Sequence, residues 1–208
     1  MKIQEKAKTQ SEAFLIKNGI PVNKALPFIE APEELAPQPA DAVARRSLVL
    51  GYIIGIGFGQ PGSRLKAELE KWDLYQYVSN SEKALLTSNN IKEQEKINAT
   101  WQTECVQSLA WGLGLADLDH FRRCDDNLGP KFPIMQDPTI FIQRAALRSF
   151  DEIYFESDLL YRLHWASRNA RLHGNQTNLT EGLIRERRKA VDWMIGVAED
   201  WDEIPSDT

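Results

Sequence analysis

Apolar residues recur along this chain at three- and four-residue spacing, the period of helices packed on one face. Residues 1–18 read as a short amphipathic helix, with Ala13, Phe14 and Ile16 among polar neighbours and Gly19 as its stop. From Asp41 the run DAVARRSLVLGYIIGIGFG is helical again, and further helices are predicted over residues 63–72 and from about 91 to Gly112 or Gly114. Ser79-Asn-Ser-Glu82 is a capping box, in which hydroxyl and carboxylate each accept from the other residue's backbone N–H, and it opens a helix through Leu86. Asp137-Pro138 opens another, with an acidic N-cap and Pro at the first helical position. A second capping box at Ser149-Phe-Asp-Glu152 splits that run, so two helices are expected to meet at Arg148-Ser149, the second reaching Leu172 before Gly174. The final helix, EGLIRERRKAVDWMIGVAEDW, buries Ile184, Val191, Met194, Ala198 and Trp201.

Two stretches resist the pattern. Five prolines from Pro21 to Pro39 forbid a continuous helix and favour an extended arm, lying across the domain or docking another protein. The chain therefore divides into residues 1–40, an N-terminal helix and extended arm packed on the domain, and residues 41–208, the helical domain. Residues 115–136 lack periodicity and are either a functional loop or a packed connector. Between them, Gly57-Phe-Gly59-Gln-Pro-Gly62 spells a dinucleotide-binding fingerprint, but no second parallel strand follows and Pro61 removes an N–H from the turn. Ser47, Gly51, Gly55 and Gly59 recur every fourth residue instead, a smooth ridge on which another helix can approach closely.

Composition changes this picture little. The chain has 208 residues, 42% hydrophobic and 26% charged, enough for one domain with a real core. A net charge of −5 disfavours nucleic acid and suits a basic protein partner. Its longest apolar run, about a dozen residues, falls short of the ~20 of a membrane span. Cys105 and Cys124, with three His and no CxxC, exclude a structural zinc site, and no cofactor or metal is expected. No signal peptide is visible at the start, so the expected compartment is a reducing cytoplasm with both thiols free.

The candidate chemistry sits on the helix from Phe150. Helical geometry places Asp151, Asp158, Arg162 and Asn169 on one stripe and Ser157, His164, Arg168 and Arg171 on another. Asp158 and Arg162 are an i,i+4 ion pair, structural if sealed and an anion or catalytic site if open. Glu152 and Glu156 share a face without a histidine in register, a solvated acidic face rather than a metal site. Ser149 is explained by capping and Cys105 as an inert core thiol. Arg185, Arg187, Arg188 and Lys189 form a basic cluster, followed at once by Asp192, Glu199, Asp200, Asp202 and Glu203 and read as neutralised by this acidic tail folded back on it.

Trp101-x-x-Glu104, Leu109-Ala-Trp111-Gly-Leu-Gly114, Leu147-Arg-Ser149 with Glu152, Asp158-Leu-Leu-Tyr-Arg162-Leu-His164-Trp165, Glu186-Arg-Arg188-x-Ala190-x-x-Trp193 and the closing Trp201-Asp-Glu203…Asp207-Thr208 resemble a widespread bacterial family known as domain of unknown function 4272. The resemblance runs from about Arg45 onward and implies one intact domain, with no established activity to carry over.

The expected fold is all-α: a single multi-helix orthogonal bundle with an extended Pro-rich N-terminal arm. The leading functional expectation is a non-enzymatic protein-binding module, such as an immunity-type partner that neutralises a basic protein. The alternative is an enzyme or small-ligand binder for an anionic substrate, using a central cluster of Glu104, Arg148, Asp158, Arg162 and His164. A sealed, paired network favours the first; a cleft with Arg162 and His164 pointing into it favours the second. The sequence leaves oligomeric state open.

Overall fold

Local signals set where the helices begin and end. The computed structural model describes residues 2–205, and these are all-helical, with eight α-helices and no strand. They are α1 (Ile3–Lys17), α2 (Ala40–Gly57), α3 (Gly62–Lys71), α4 (Asn80–Thr87), α5 (Glu93–Gly112), α6 (Thr139–Gln143), α7 (Phe150–His173) and α8 (Glu181–Ile195). The capping boxes form as spaced: Glu82 N–H meets the Ser79 hydroxyl, and Glu152 N–H meets that of Ser149. Gly174 ends α7 in the left-handed conformation, φ 67°. Asp207 and Thr208, the last residues of the resemblance, lie outside the described residues.

The packing order is α2–α5–α8–α7–α1, with α5 and α8 in the middle. Leu109 and Ala110 of α5, Ile184 and Val191 of α8, and Leu160 and Leu163 of α7 are all fully buried. Residues 57–62 end one helix and start the next, with no strand beside them, so the glycine spacing builds no dinucleotide turn. No helix among the described residues is long and apolar enough to cross a membrane.

Between α1 and α2 the chain is irregular apart from one 3-10 turn, Pro32–Glu34. Its carbonyls are met by side chains from two helices. Lys8 of α1 donates to Lys24 and Leu26 at 2.9 and 2.8 Å, and Tyr154 of α7 donates to Glu30 at 2.8 Å. The Ala36 and Gln38 N–H groups reach the Gly196 and Met194 carbonyls at the end of α8.

Three local expectations are corrected. The last helix stops at Ile195, not Trp201, because Gly196 turns left-handed (φ 84°) where the Ala36 backbone crosses it. Trp201 sits instead on a 3-10 turn, edge-on to Trp193 at 5.6 Å. The helices around residue 148 do not meet. Residues 144–149 are non-helical, since Arg148 gives its N–H to the Gly112 carbonyl at 2.8 Å and its Nε to that of Trp111 at 2.9 Å, satisfying the open end of α5.

The small-residue ridge is also filled differently. Gly51 faces the Ile134 side chain and Gly55 faces Leu65. Close backbone approach occurs off the ridge, at Gly57, where an added Cβ would lie 2.9 Å from the Lys96 carbonyl and 3.0 Å from the Thr100 nitrogen of α5. Gly57→Ala should therefore destabilise by about 1–3 kcal/mol despite alanine's better helix propensity. Gly51→Ala, which meets only a movable side chain, should cost less; urea unfolding of both variants measures the difference.

Candidate functional site

The irregular chain after α5 is folded around one internal ion pair. Glu104 of α5 and Arg187 of α8 have side chains only 3% and 1% exposed. Arg187 gives Nε and Nη2 to Glu104 Oε2 at 2.9 and 2.8 Å, and its other donor sites go to the Asp119 and Arg122 carbonyls. Glu104 Oε1 accepts the Cys124 N–H at 3.0 Å. Gln107 continues the pattern, accepting from Asp125 N–H at 3.0 Å and donating to the Asp117 carbonyl at 2.6 Å. Two α5 side chains and one from α8 thus replace the backbone partners this loop lacks. Outside the pair lies a polar cleft of about 820 Å³, lined by Asp117, Arg123, Asp126, Lys131 and Arg148 among others.

The five candidate residues do not share a cavity. Asp158 and Arg162 face each other with two bonds of 2.8 Å, each side chain 1% exposed. Arg162 also reaches the Pro27 carbonyl at 3.3 Å, while its Nη1 is buried without a hydrogen-bond partner. His164 is buried beside Arg188, with Nδ1 at 3.3 Å from a guanidinium nitrogen. Burial, then that positive neighbour, pushes its pKa down to about 4. Glu104 is held by Arg187. Only Arg148 lines the large cleft, stacked 5.1 Å over the Trp111 ring and bonded to Glu152.

The basic run of α8 is also paired within the body. Arg187 meets Glu104, Arg188 meets Asp192 at 3.0 Å, and Arg185 meets Glu186 at 2.7 Å. Asp192 in turn accepts from Ser157 at 2.6 Å, and burial pushes its pKa up to about 6. Of the acidic residues expected to neutralise this run, Asp192 pairs with Arg188, and Asp202 accepts from Ser79 and Ser81 at the start of α4 while the Lys189 charge helps to lower its pKa. Cys105 is a core thiol donating to the Glu186 carbonyl at 3.2 Å, and burial raises its pKa.

Sequence reasoning missed one pair altogether. Glu156 is not on a solvated face with Glu152: it turns inward, its Oε1 at 3.4 Å from Nε2 of His120 in the loop. Phe14 of α1 stands edge-on to that imidazole at 5.5 Å. Burial pushes the Glu156 pKa up to about 8 and, with Arg187, pushes His120 down to about 4. At neutral pH both groups are uncharged. The i,i+4 spacing from Glu152 carried no sign of this, because His120 arrives from a distant loop. Among the described residues no group of three or more His, Cys, Asp or Glu is placed to hold a metal.

The family model described as Domain of unknown function (DUF4272) matches residues 7–204, nearly the whole chain, and the chain belongs to that family. No curated protein and no solved structure matches it.

Two tests follow from the buried pairs. Arg187→Met strands Glu104 and should cost about 3–5 kcal/mol, largely recovered in the Glu104→Met, Arg187→Met double variant. Urea unfolding reads the stability, and hydrogen exchange at residues 117–124 reads the loop. The second concerns pH. The folded Glu156 pKa lies above its unfolded value of 4.5, so its contribution to stability falls as pH rises from about 4.5 to about 8. His120 and His164 have folded values below 6.5, so the stability they cost in acid is regained as pH rises from about 4 to a little above 7. Between pH 6.5 and 8 the wild type should lose about 1 kcal/mol net, with about 1.7 lost at Glu156 and about 0.8 regained at the two histidines, and Glu156→Gln should reverse that slope. A parallel slope in the variant would refute the assignment.

Proposed function

We propose that this member of the DUF4272 family acts by binding a basic protein and masking it, an immunity-type role without catalysis. The observation that carries the reading is an unneutralised acidic face. The Ala36 and Gln38 N–H groups bond to the Gly196 and Met194 carbonyls, so the segment carrying Glu30, Glu33 and Glu34 and the segment carrying Glu199 and Asp200 both run from that junction. All five are exposed, and none forms an ion pair among the described residues. The buried arginines, by contrast, are each ion-paired inside the body. The same reading takes the helical body as an orthogonal bundle and the proline-rich segment as an arm that contributes half of the contact face. A rim of like charge speeds encounter with a basic surface and gives binding its salt dependence.

A second reading, binding or turnover of a small anion, draws on Arg148 in the large cleft, where Arg123 and Lys131 form no ion pair among the described residues. Inorganic phosphate titrated against Arg148→Met and the parent protein tests it separately.

For the leading reading, affinity capture from native lysate of the source cells should recover a lysine- and arginine-rich protein in equal amount, released as salt is raised. The variant E30Q/E33Q/E34Q/E199Q/D200N should fold normally and recover none of it. Recovery of no stoichiometric partner, or equal recovery by the variant, counts against the proposal.

A further inference from the structure

A second cavity, apart from the acidic face and from the loop cleft, opens between α4, α5 and α8. It encloses about 460 Å³, within the range of small-molecule sites. Ile53, Leu85, Ala99 and the Trp201 ring supply apolar wall. Two polar groups in the wall have no hydrogen-bond or ion-pair partner at contact distance among the described residues, although Asp202 is near enough for the Lys189 charge to help lower its pKa. Lys189 of α8 lies 4.8 Å from the centre of the Trp201 ring and forms no ion pair among the described residues. Gln102 of α5 has its Oε1 buried without a hydrogen-bond partner.

The nearby carboxylates are already committed. Glu82 is ion-paired to buried Arg46, Asp202 accepts from Ser79 and Ser81, and Glu95 caps α5 through the Lys92 N–H at 2.6 Å. An anionic head placed beside the half-buried Lys189 ammonium would gain a charge-assisted hydrogen bond. The unmet amide oxygen asks for a donor, and the Trp201 and aliphatic wall asks for a flat apolar body.

We propose that this cavity binds a small amphiphilic monoanion: a carboxylate or sulfonate head on Lys189, and an aromatic or short aliphatic body against Trp201 and Leu85. The site does not depend on the protein-binding reading, since none of its residues belongs to the acidic face.

The probe is anilinonaphthalene sulfonate, whose fluorescence rises on entering an apolar site, compared with phenylnaphthylamine, the same ring system without the sulfonate. The folded parent should bind one equivalent of the sulfonate saturably. Lys189→Met should weaken that binding by about tenfold or more, as expected for a lost charge-assisted contact. Lys189→Arg should restore it to within about threefold of the parent. Phenylnaphthylamine should bind parent and Lys189→Met alike. Ala84→Trp, a change at the exposed mouth of the cavity, should block both probes and covers the case in which Lys189→Met fails to fold. Absence of saturable binding by the parent, or sulfonate binding that survives either Lys189→Met in folded protein or Ala84→Trp, overturns the proposal.

Discussion

A buried guanidinium must have its charge paired, and removing that partner strands a charge in the interior. This protein buries three of them, Arg46, Arg162 and Arg187, each no more than 4% exposed. Each is neutralised by one carboxylate on a helix: Glu82, Asp158 and Glu104. The remaining donors then reach for backbone carbonyls of segments with no helix of their own. Arg162 takes Pro27 in the connection to α2, Arg187 takes Asp119 and Arg122 in the loop after α5, and Arg46 takes Tyr77 just before α4. The irregular stretches of the chain are stitched to the helical body at these points. The apolar core holds the helices to one another, and the arginines fix what lies between them.

That division explains what could be read from sequence. Helix starts at Ser79 and Ser149, and stops at Gly19 and Gly174, depend on residues within four positions, so local chemistry specifies them. The all-α class follows from the same short-range pattern. The stop at Gly196 was missed because the apolar periodicity runs on to Trp201, and the helix is cut by a backbone 160 residues earlier in the chain. The break at residues 144–149 has a similar origin, with α5 claiming Arg148 for its own carbonyls.

Candidate polar residues were partly legible for the same reason. Asp158 and Arg162 pair within one helix, so i,i+4 spacing identified both partners. Glu104 was among the candidate residues, but its partner lies 83 residues away and was hidden inside a run of surface-like basic residues. Spacing within α8 gives Arg185, Arg187, Arg188 and Lys189 similar weight. Only the packing of α5 against α8 separates the sealed Arg187 from Lys189, which borders a cavity.

Glu156 shows what decides whether a buried acid is charged. Asp158 accepts two bonds from a guanidinium, a group that carries its charge at every pH the fold survives. Glu156 has no such partner at bonding distance; its nearest polar neighbour is an imidazole that burial and Arg187 keep neutral. Desolvation then prevails and the acid holds its proton. The body can therefore be sealed around both kinds of pair, a fixed ionic one and a neutral one. Among the described residues, the ionisable groups that take part in no ion pair lie mostly at its margins: the exposed carboxylates near the end of α8, Arg123 and Lys131 in the loop cleft, and Lys189 at the cavity wall. An activity that relies on attraction of charge is best supplied there.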